Sequence, residues 1–475
     1  MSKESFYITS PIFYPNAKLH MGHAYVMTLC DILARYHRLI GEPTYFLTGS
    51  DENTGKLIKA AAEQGKEVKE YLDEIVKSFG ELYSALEISH DQFIRTTDEQ
   101  KHWPGAIKMW ESLVAAGDIY KSKYVGLYCV GCETFYTEKE LVDGKCPIHQ
   151  TVPEKIEEEN YFFKLSKYTE PIKKAIESKD LNIIPDTRKN EILALLGRGL
   201  EDVSFSRPKK TVPHGIPVPG DSEQVIYVWC DALVNYISAL GYGSEDTVLF
   251  EKFWPASAHV IGKDILRFHT AIWPAMLMSA KLPLPKNIFI HGLITSGGMK
   301  MSKSLGNVID PQELIAEYGP EALRYYFARE ISPFEDGDLT RDSFKNAYNA
   351  NLANGLGNLV SRVMKMAETN LEAPVTIPEN TIPEEFKQAL DVFEIKKATD
   401  MIWSEIGKLD LKIQETQPFK LVKTDKNKAL EIIKELVVGI YSVARMLNPI
   451  MPTASAKIKE AVKANKMPEP LFLRK

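Results

Sequence analysis

The chain has 475 residues and a net charge of −6, with 44% hydrophobic and 26% charged residues. This is the composition of a folded globular protein, and at roughly 150 residues per domain it predicts about three domains. It excludes a wholly basic nucleic-acid binder and a long disordered tail. No run approaches the ~18 apolar residues of a membrane span, and the N-terminus lacks the apolar core of a signal peptide. We therefore expect a cytoplasmic protein with no membrane partner.

The first predicted elements form a strand–helix–strand unit. SFYITS (5–10) predicts a short strand, the apolar spacing from Gly22 to Ile40 predicts a helix that ends at Gly41, and PTYFLT (43–48) predicts a second strand. Strands joined by one helix in this way pair in parallel, so an α/β sheet is expected from residue 5 onwards.

The middle of the chain predicts one sheet that is interrupted by an inserted module. Residues 52–117 predict helices, and from about Asp118 to Asp221 the composition shifts towards Tyr, Thr, Cys and an acidic run. The α/β pattern resumes afterwards, with strands at 225–229, 258–262 and 287–294 and helices at 231–240 and 264–280.

Beyond Asp342 the pattern is helical only. The predicted helices lie at 343–369, 383–407, 428–447 and 453–465, and a helical bundle is the natural closure for such a series. Residues 401–475 carry 14 Lys and Arg against 8 Asp and Glu, which permits a polyanionic partner there. On charge alone, a solvated helical surface is the better interpretation.

The sequence HMGH (20–23) stands at the first predicted strand-to-helix junction. A helix start offers unpaired N–H groups to an anion, and Gly22 lets the backbone come close to it. His20 and His23 share a helix face, where two imidazoles suit a phosphate whose charge grows during a reaction. From these four residues alone, a phosphate site and a purely structural helix start are equally supported.

The segment KMSKS (300–304) follows the strand predicted at 287–294. Gly297 and Gly298 precede it and Gly306 follows it, which predicts hinges on both sides. In most proteins two such lysines belong to a solvated turn, but this loop leaves the carboxyl end of a parallel strand, where ligands of such sheets bind. Lysines there would hold a triphosphate and then release it. A Walker A loop, a dinucleotide-binding motif and kinase signatures are absent.

Three cysteines and a histidine have the spacing of a tetrahedral zinc site, C-x2-C followed after 13 residues by C-x2-H. The predicted ligands are Cys129, Cys132, Cys146 and His149. Four protein ligands leave no open coordination position, so the predicted role of the metal is structural. The other two cysteines, Cys30 and Cys230, lie in apolar stretches and are predicted to be core thiols.

The HxGH and KMSKS motifs together resemble those of class I aminoacyl-tRNA synthetases. Longer stretches are similar to the methionyl-tRNA synthetases over essentially the whole chain, namely SPIFYPNAKLHMGHAY, FLTGSDENTGK, EENYFFKLSKY, YVWCDALVNYISALGY, HVIGKDILRFHTAIWPAML and KMSKSLGNVIDP. The resemblance implies a Rossmann-type α/β catalytic domain split by a zinc-knuckle connective insertion and followed by an α-helical anticodon-binding bundle. The predicted boundaries are 1–117 and 222–285 for the catalytic halves, 118–221 for the insertion, 286–342 for the KMSKS and stem-contact region, and 343–475 for the bundle.

The resemblance also implies an activity, a methionine–tRNA ligase. Such an enzyme uses ATP, with Mg²⁺, to form methionyl-adenylate and transfers methionine to tRNA(Met), including initiator tRNA. One structural Zn²⁺ per chain is expected. The implied catalytic residues are His20, His23, Lys300 and Lys303. The implied ATP-binding residues are Tyr14, Asn16, His20, Gly22, His23, Gly262, Lys263, Asp264, Lys300 and Lys303.

A methionine pocket needs flexible apolar and aromatic walls and a carboxylate for the ammonium group. Residue by residue, the resemblance places these roles on Ile12, Tyr14, Asp51, Trp229, Ala232, Tyr236, Ile265 and His269, with Asp51 facing the amino group. Trp229 and Tyr236 also fit plain core packing, and the two interpretations are compatible. Chemistry alone adds that a Gly after a strand admits a ribose, whose hydroxyls Asp264 can bind.

The implied anticodon contacts are Asn358, Arg362 and Phe419. Phe419 can stack on a base, but Asp410 puts a carboxylate where the family usually has an amide. The chain ends at Lys475 with no appended OB-fold module, from which we expect a monomer.

Two alternatives to a methionine–tRNA ligase remain. A synthetase for leucine, valine or cysteine is disfavoured, because no large editing domain fits within 118–221 and a cysteine enzyme would hold zinc near the HxGH strand. A non-catalytic tRNA-binding paralogue is disfavoured by the intact HMGH and KMSKS motifs.

Overall fold

The protein forms two compact units. The structure, a computed structural model, describes residues 4–131, 134–136, 138, 141–147, 150–301, 306–379 and 382–475, without the side chains at 56, 59, 124, 125, 134 and 135. The first unit comprises Met1–Lys18, Pro43–Glu81 and His90–Ile290. The second comprises Leu19–Glu42, Leu82–Ser89 and His291–Lys475.

The strands among the described residues lie before residue 340. In chain order they are β1 (Phe6–Phe13), β2 (Thr44–Ser50), β3 (Gln92–Arg95), β4 (Ile119–Cys129), β5 (Thr134–Tyr136), β6 (Glu154–Phe163), β7 (Asn182–Ile184), β8 (Val203–Ser204), β9 (Ser206–Pro208), β10 (Pro217–Val218), β11 (Asp221–Ile226), β12 (Ala258–Gly262), β13 (Asn287–His291), β14 (Ile294–Ser296), β15 (Met299–Lys300) and β16 (Gly337–Asp338).

The helices run through both units. In chain order they are α1 (Met21–Leu39), α2 (Gly55–Glu63), α3 (Val68–Ala85), α4 (Trp103–Ala115), α5 (Thr169–Glu177), α6 (Asp186–Leu196), α7 (Val228–Ser238), α8 (Val248–Phe253), α9 (Trp273–Ser279), α10 (Pro311–Tyr318), α11 (Pro320–Arg329), α12 (Arg341–Ala347), α13 (Asn358–Asn370), α14 (Glu384–Asp391), α15 (Ile395–Thr416), α16 (Pro418–Leu421), α17 (Lys426–Leu447) and α18 (Pro452–Ala464). No helix in the described part of the chain is long and apolar enough to cross a bilayer.

A parallel sheet forms the centre of the first unit. Its described strands lie in the order β3-β2-β1-β12-β13-β7. The pairs β1–β2, β1–β12, β2–β3 and β13–β7 are all parallel. Every residue of β12 is buried, as expected for a strand covered on both faces. The parallel pair that was predicted within residues 5–48 is confirmed, and so is the α/β class with a helical C-terminal region.

The range 118–221 holds a second, smaller sheet. β4 and β6 pair antiparallel from Ile119 opposite Phe163 to Tyr128 opposite Glu154, and β5 and β8 extend the pair on either side. β7 comes from the same range but pairs with β13 of the large sheet. The predicted insertion therefore includes a segment that returns to the large sheet, and its boundaries remain a prediction.

Three local predictions in the first unit were wrong. β3 lies within 52–117, which was predicted to be helical, because its pairing with β2 depends on a distant strand. The strand predicted at 225–229 ends at Ile226, and α7 begins at Val228. The helix predicted at 264–280 is divided into a 3₁₀ turn, a π-helical segment (Phe268–Ile272) and α9. Pro274, near the start of α9, has no N–H to donate to the carbonyl four residues earlier, so a regular α-helical hydrogen bond cannot form there.

A buried arginine connects three segments of the second unit. Arg324 of α11 donates to the carbonyl oxygens of Ile450 at 2.7 Å and Pro449 at 3.0 Å, and it lies 2.7 Å from Asp31 of α1. A buried charge needs this many partners, because each unpaired polar group would cost free energy. The pairs α13–α17, α15–α17 and α17–α18 pack against each other. The described residues beyond Asp342 contain helices and no strand, as predicted.

Candidate active site

The first part of the site lies where neighbouring strands of the large sheet end. Asp51 follows β2 directly, and its N–H donates to the carbonyl of Phe13 in β1 at 3.0 Å. Ile12 stands opposite Gly49 in the pairing of these strands. Gly262 ends β12 on the other side of β1. Because ligands of parallel α/β sheets bind outside the carboxyl ends of the strands, these residues lie at the expected edge.

An aromatic wall stands at the start of α7. The Trp229 ring stacks on Phe268, with centroids 3.5 Å apart and planes 11° from parallel. Tyr227, Val228 and Trp229 form an apolar cluster that Tyr14, Ile265 and Phe268 pack against. The structure thus brings together three predicted pocket residues, Tyr14, Trp229 and Ile265. Phe268 was not predicted from the sequence, although its spacing of three residues from Ile265 is that of one helical face.

A buried hydrogen-bonded pair continues this wall. The Tyr236 hydroxyl lies 2.8 Å from Nε2 of His269, whose Nδ1 lies 3.0 Å from the carbonyl oxygen of Ile265. Burial lowers the pKa of His269 to about 4, so the ring is neutral near pH 7. A carbonyl can only accept, so Nδ1 carries the proton and Nε2 accepts from Tyr236. Both predicted pocket residues are therefore oriented neutral groups.

His259 is a further buried histidine that sequence reasoning missed. It lies in β12, with its ring centroid 4.3 Å from that of Tyr236. Its Nε2 accepts from the indole N–H of Trp273 at 3.2 Å, which leaves Nδ1–H to donate to the Thr9 hydroxyl at 2.8 Å. Burial, and secondarily the neighbouring His269, hold the pKa of His259 well below its usual value. The residue pattern of β12 in the sequence does not indicate that His259 would contact Tyr236.

The remaining predicted ligand residues of the first unit have different exposures. Ala232 is buried on α7, and Gly262 is buried at the end of β12. Lys263 and the exposed Asp264 form a 3₁₀ turn directly after it. Asn16 is exposed, and its carbonyl accepts from the Tyr71 hydroxyl at 3.0 Å.

The HMGH residues belong to the second unit, where they cap α1. Nδ1 of His20 accepts from the N–H of Gly22 at 3.1 Å, and Nδ1 of His23 accepts from the N–H of His20 at 3.0 Å. The two rings lie 3.9 Å apart. Burial is the main cause that holds the pKa of His23 well below its usual value, and the electrostatic interaction with a protonated His20 would be the second. Because Nδ1 of each ring accepts a hydrogen bond, the ring proton is on Nε2, which makes Nε2–H a donor.

The lysine loop follows a hairpin in the second unit. β14 and β15 pair antiparallel around Gly297 and Gly298, both with positive φ, so these glycines form a tight two-residue turn. Asp338 accepts from the N–H of Gly298 at 2.9 Å. Lys300 is exposed at the end of β15, whereas Lys303 lies outside the described residues. The predicted hinge role of the glycines remains a prediction.

Two of the four predicted zinc ligands are described. Cys129 and Cys146 are both buried, and Thr151 contacts each of them. Its hydroxyl lies 3.9 Å from Sγ of Cys129, and its carbonyl accepts from the N–H of Cys146 at 2.9 Å. A tight turn through Asp143 and Gly144, both at positive φ, precedes Cys146. Buried thiols beside such a turn fit the zinc knuckle that the spacing predicts.

The other two ligands, Cys132 and His149, lie outside the described residues. Within the described ranges, no cluster of three or more His, Cys, Asp or Glu residues is placed to hold a metal. The two remaining cysteines, Cys30 and Cys230, are buried, and burial raises the pKa of both thiols well above the usual value. Their prediction as core thiols is confirmed.

The predicted anticodon residues lie in the helical part of the second unit. Asn358 is exposed at the start of α13, and Phe419 on α16 is 50% exposed. Arg362 on α13 donates to the Asp410 carboxylate of α15 at 2.8 Å. The carboxylate that departs from the family pattern is thus a partner of a predicted anticodon residue.

The parallel sheet and the histidine-capped helix are features of class I tRNA synthetases. The family model described as tRNA synthetases class I (M) matches residues 6–151 and 138–364. These observations define the class of the protein, a class I tRNA synthetase.

Individual relatives narrow this class. The chain is 44% identical to the methionine–tRNA ligase of Clostridium acetobutylicum over 473 residues, which are 96% of this chain and 73% of that protein. It is 40% identical to the methionine–tRNA ligase of Thermotoga maritima over 481 residues, 98% of this chain and 76% of that protein. It matches the structure of Mycobacterium tuberculosis methionyl-tRNA synthetase in complex with methionyl-adenylate with a TM-score of 0.91 and 34% identity, over 99% of each chain. The chain belongs to the methionyl-tRNA synthetase family, which confirms the resemblance seen in its motifs.

Proposed function

We propose that this protein is a methionine–tRNA ligase, which activates methionine with ATP and transfers it to tRNA(Met), including initiator tRNA. The observation that carries the proposal is the aromatic wall of Tyr14, Trp229 and Phe268 in the same unit as Asp51. Stacked rings suit an unbranched thioether, which is polarizable and makes favourable contacts with aromatic faces. The carboxylate of Asp51, buried at the strand ends, suits an ammonium group.

Activation forms one bond and breaks another. An oxygen of the methionine carboxylate attacks the α-phosphorus of ATP, and pyrophosphate leaves with the electron pair of the broken P–O bond. A ribose hydroxyl at the end of tRNA then attacks the carbonyl carbon of the adenylate, and AMP leaves. Catalysis would come from positioning and charge stabilisation, with no covalent enzyme intermediate.

The residues proposed to bind the phosphates carry donors suited to that role. His20 and His23 use Nδ1 to cap α1, which supports Nε2–H of each as a donor to phosphate oxygens. The helix start adds its own N–H groups and dipole. Lys300 and Lys303 would neutralise the departing pyrophosphate, and Gly262, Lys263 and Asp264 would hold the nucleoside end of ATP.

The proposed metals have separate roles. Mg²⁺ would accompany the ATP phosphates and neutralise part of their charge. Zn²⁺ would be structural, held by Cys129, Cys132, Cys146 and His149, and would stabilise the knuckle without taking part in the reaction. We further infer a location in the cytoplasm, where ATP and tRNA are available to the enzyme.

The test is amino-acid-dependent ATP–pyrophosphate exchange with a panel of methionine, leucine, isoleucine, valine and cysteine. We expect exchange with methionine to exceed that with each other amino acid, because branched side chains fit the stacked wall poorly. Preferred exchange with another amino acid would support the first alternative. No exchange with any amino acid, together with retained tRNA binding, would support a non-catalytic paralogue.

A further inference from the structure

A group of buried, hydrogen-bonded side chains joins two segments of the proposed methionine pocket. Asp231 of α7 is fully buried, and its Oδ2 accepts from the amide nitrogen of Asn53 at 2.7 Å. Its Oδ1 lies 2.5 Å from Nε2 of His102, which is also fully buried. Nδ1 of His102 lies 2.8 Å from the hydroxyl of Ser238, at the other end of α7. None of these residues is among those expected to bind methionine or ATP.

The hydrogen-bond roles in this group are determined by the carboxylate. An ionised carboxylate only accepts, so His102 donates from Nε2 and Asn53 donates from its amide. The same Asn53 nitrogen also donates to the carbonyl of Thr96 at 3.0 Å. Oδ1 of Asn53 has no hydrogen-bond partner among the described residues, so donor bonds alone orient this amide. A donor in place of Oδ2 of Asp231 would face the Asn53 amide, and a donor in place of Oδ1 would require His102 to change its tautomer.

The segments that this group joins carry the two ends of the proposed pocket. Asn53 is two residues after Asp51, the carboxylate proposed for the ammonium group. Asp231 is on the first turns of α7, between Trp229 and Ala232, which are proposed to line the side-chain end. Asn53 and Asp231 are 178 residues apart in the chain, so their contact directly connects two distant segments of this unit.

We propose that Asp231 is a positioning residue for methionine, acting through Asn53 and His102. Its carboxylate sets the distance between the segment of Asp51 and the aromatic wall on α7, and hence the length of substrate that the pocket accepts. A buried carboxylate with donors on both oxygens holds such a distance more rigidly than apolar contacts do. This inference rests on the proposed function, since it concerns the same substrate.

The test measures the KM values for methionine and for ATP in pyrophosphate exchange. We expect Asp231→Asn to raise the KM for methionine on the order of tenfold or more, since a misplacement of about 1 Å can cost up to about 10²-fold. The KM for ATP should stay within about twofold, because the group does not join residues proposed for the nucleotide. Asn53→Ala, which removes the donor to Oδ2 of Asp231, should act in the same direction.

The double variant Asn53→Ala/Asp231→Asn tests whether both residues act through one contact. Its methionine KM should be close to that of Asp231→Asn, since two changes that remove the same contact are not additive. Multiplied effects of the two changes would overturn the role of Asn53.

Asp118→Asn is a matched control for the loss of a buried carboxylate. Asp118 accepts from Tyr168 at 2.5 Å and from Ser279 and Lys167 at 2.7 Å each, away from the proposed pocket residues. It should lower thermal stability and leave the methionine KM unchanged. The inference is overturned if Asp231→Asn leaves the methionine KM unchanged, or raises both KM values alike as a general folding defect would. If the wild-type protein shows no exchange with methionine, the proposed function itself fails.

Discussion

Buried histidines in the first unit serve as neutral hydrogen-bonding groups. His269 and His259 each accept at Nε2 and donate at Nδ1, and burial lowers the pKa of both. A neutral imidazole orients Tyr236 without placing a charge beside an apolar substrate. The sequence shows that these residues are histidines, but their neutral state follows from their burial in the folded protein.

The pH dependence of stability should show the titration of His269. In the unfolded chain an imidazole has a pKa near 6.5, against about 4 in the folded protein. As the pH falls through this window, the unfolded state binds a proton that the folded state excludes. The free energy of unfolding should therefore fall by up to about 3 kcal/mol, with the full stability present above about pH 6.5.

His269→Gln isolates this effect, because an amide keeps an acceptor for Tyr236 and does not titrate. Between about pH 7 and pH 4.5, urea unfolding midpoints should fall more steeply for the wild type than for the variant. His259 remains in both proteins and its pKa is lowered mainly by burial, so most of its contribution cancels in the comparison. If the unfolding midpoints of the two proteins change with pH in parallel, His269 can be protonated in the folded state and the prediction is wrong.

At the scale of elements, two tight turns occur beside motifs that the sequence marks for function. One passes through Asp143 and Gly144 before Cys146, and the other through Gly297 and Gly298 before KMSKS. Positive φ at successive positions explains the residue types at both. Gly297 and Gly298 were recognised in the sequence, but the hairpin between β14 and β15 was seen only in the structure.

Replacing a predicted zinc ligand should release metal. Cys146→Ala leaves three ligands, which cannot close a structural tetrahedron, so about one zinc per chain should be lost and the knuckle destabilised. Metal analysis after purification without chelators measures this. Cys30→Ala removes a buried thiol elsewhere and should retain the metal. A wild-type protein without zinc under these conditions would mean that the predicted site is wrong.

The lysine loop should contribute to the chemical step. If Lys303 acts on pyrophosphate as it leaves, its contact strengthens in the transition state and adds little to ATP binding. Lys303→Ala should then slow adenylate formation on the order of 10²–10³-fold, or about 3–4 kcal/mol, with a modest change in the Kd for ATP. Transfer from preformed methionyl-adenylate to tRNA should be much less affected, because pyrophosphate has already left.

Single-turnover kinetics of each half-reaction separate these effects. Lys77→Ala, an exposed lysine on α3, serves as the control and should behave as the wild type. A large increase in the Kd for ATP with an intact rate at saturation would make the loop a binding clamp and refute its catalytic role.

For the whole molecule, the proposed reaction has two steps with different requirements. Activation needs methionine and ATP, whereas transfer also needs tRNA. The helical part of the second unit carries the predicted anticodon residues, among them the half-exposed Phe419.

Arg362→Ala and Phe419→Ala should therefore weaken aminoacylation and leave pyrophosphate exchange near the wild-type level. A base stacked on an aromatic ring is worth about 1–3 kcal/mol, so Phe419→Ala should cost roughly tenfold or more. Lys365→Ala, on α13 close to Arg362, is the matched control. Equal losses in both assays would indicate a folding defect or a wrong assignment of these residues.

The sequence by itself determined the order of most elements, the α/β class, the family and the positions of the motifs. Each of these is a local pattern: apolar residues repeat with the period of a strand or a helix, and HMGH and KMSKS are short runs. The strand predicted at 258–262 and the helices near 22–40 and 428–447 were confirmed closely for this reason.

Only the tertiary structure decided which distant residues meet. β3 and β7 are too short to be recognised by period, and their pairing depends on strands elsewhere in the chain. Likewise, Trp229 stacks on Phe268, and Asp231 bonds to both Asn53 and His102. Such contacts are selected by close packing and by the need of buried polar groups for partners, and neither constraint acts between neighbours in the sequence alone.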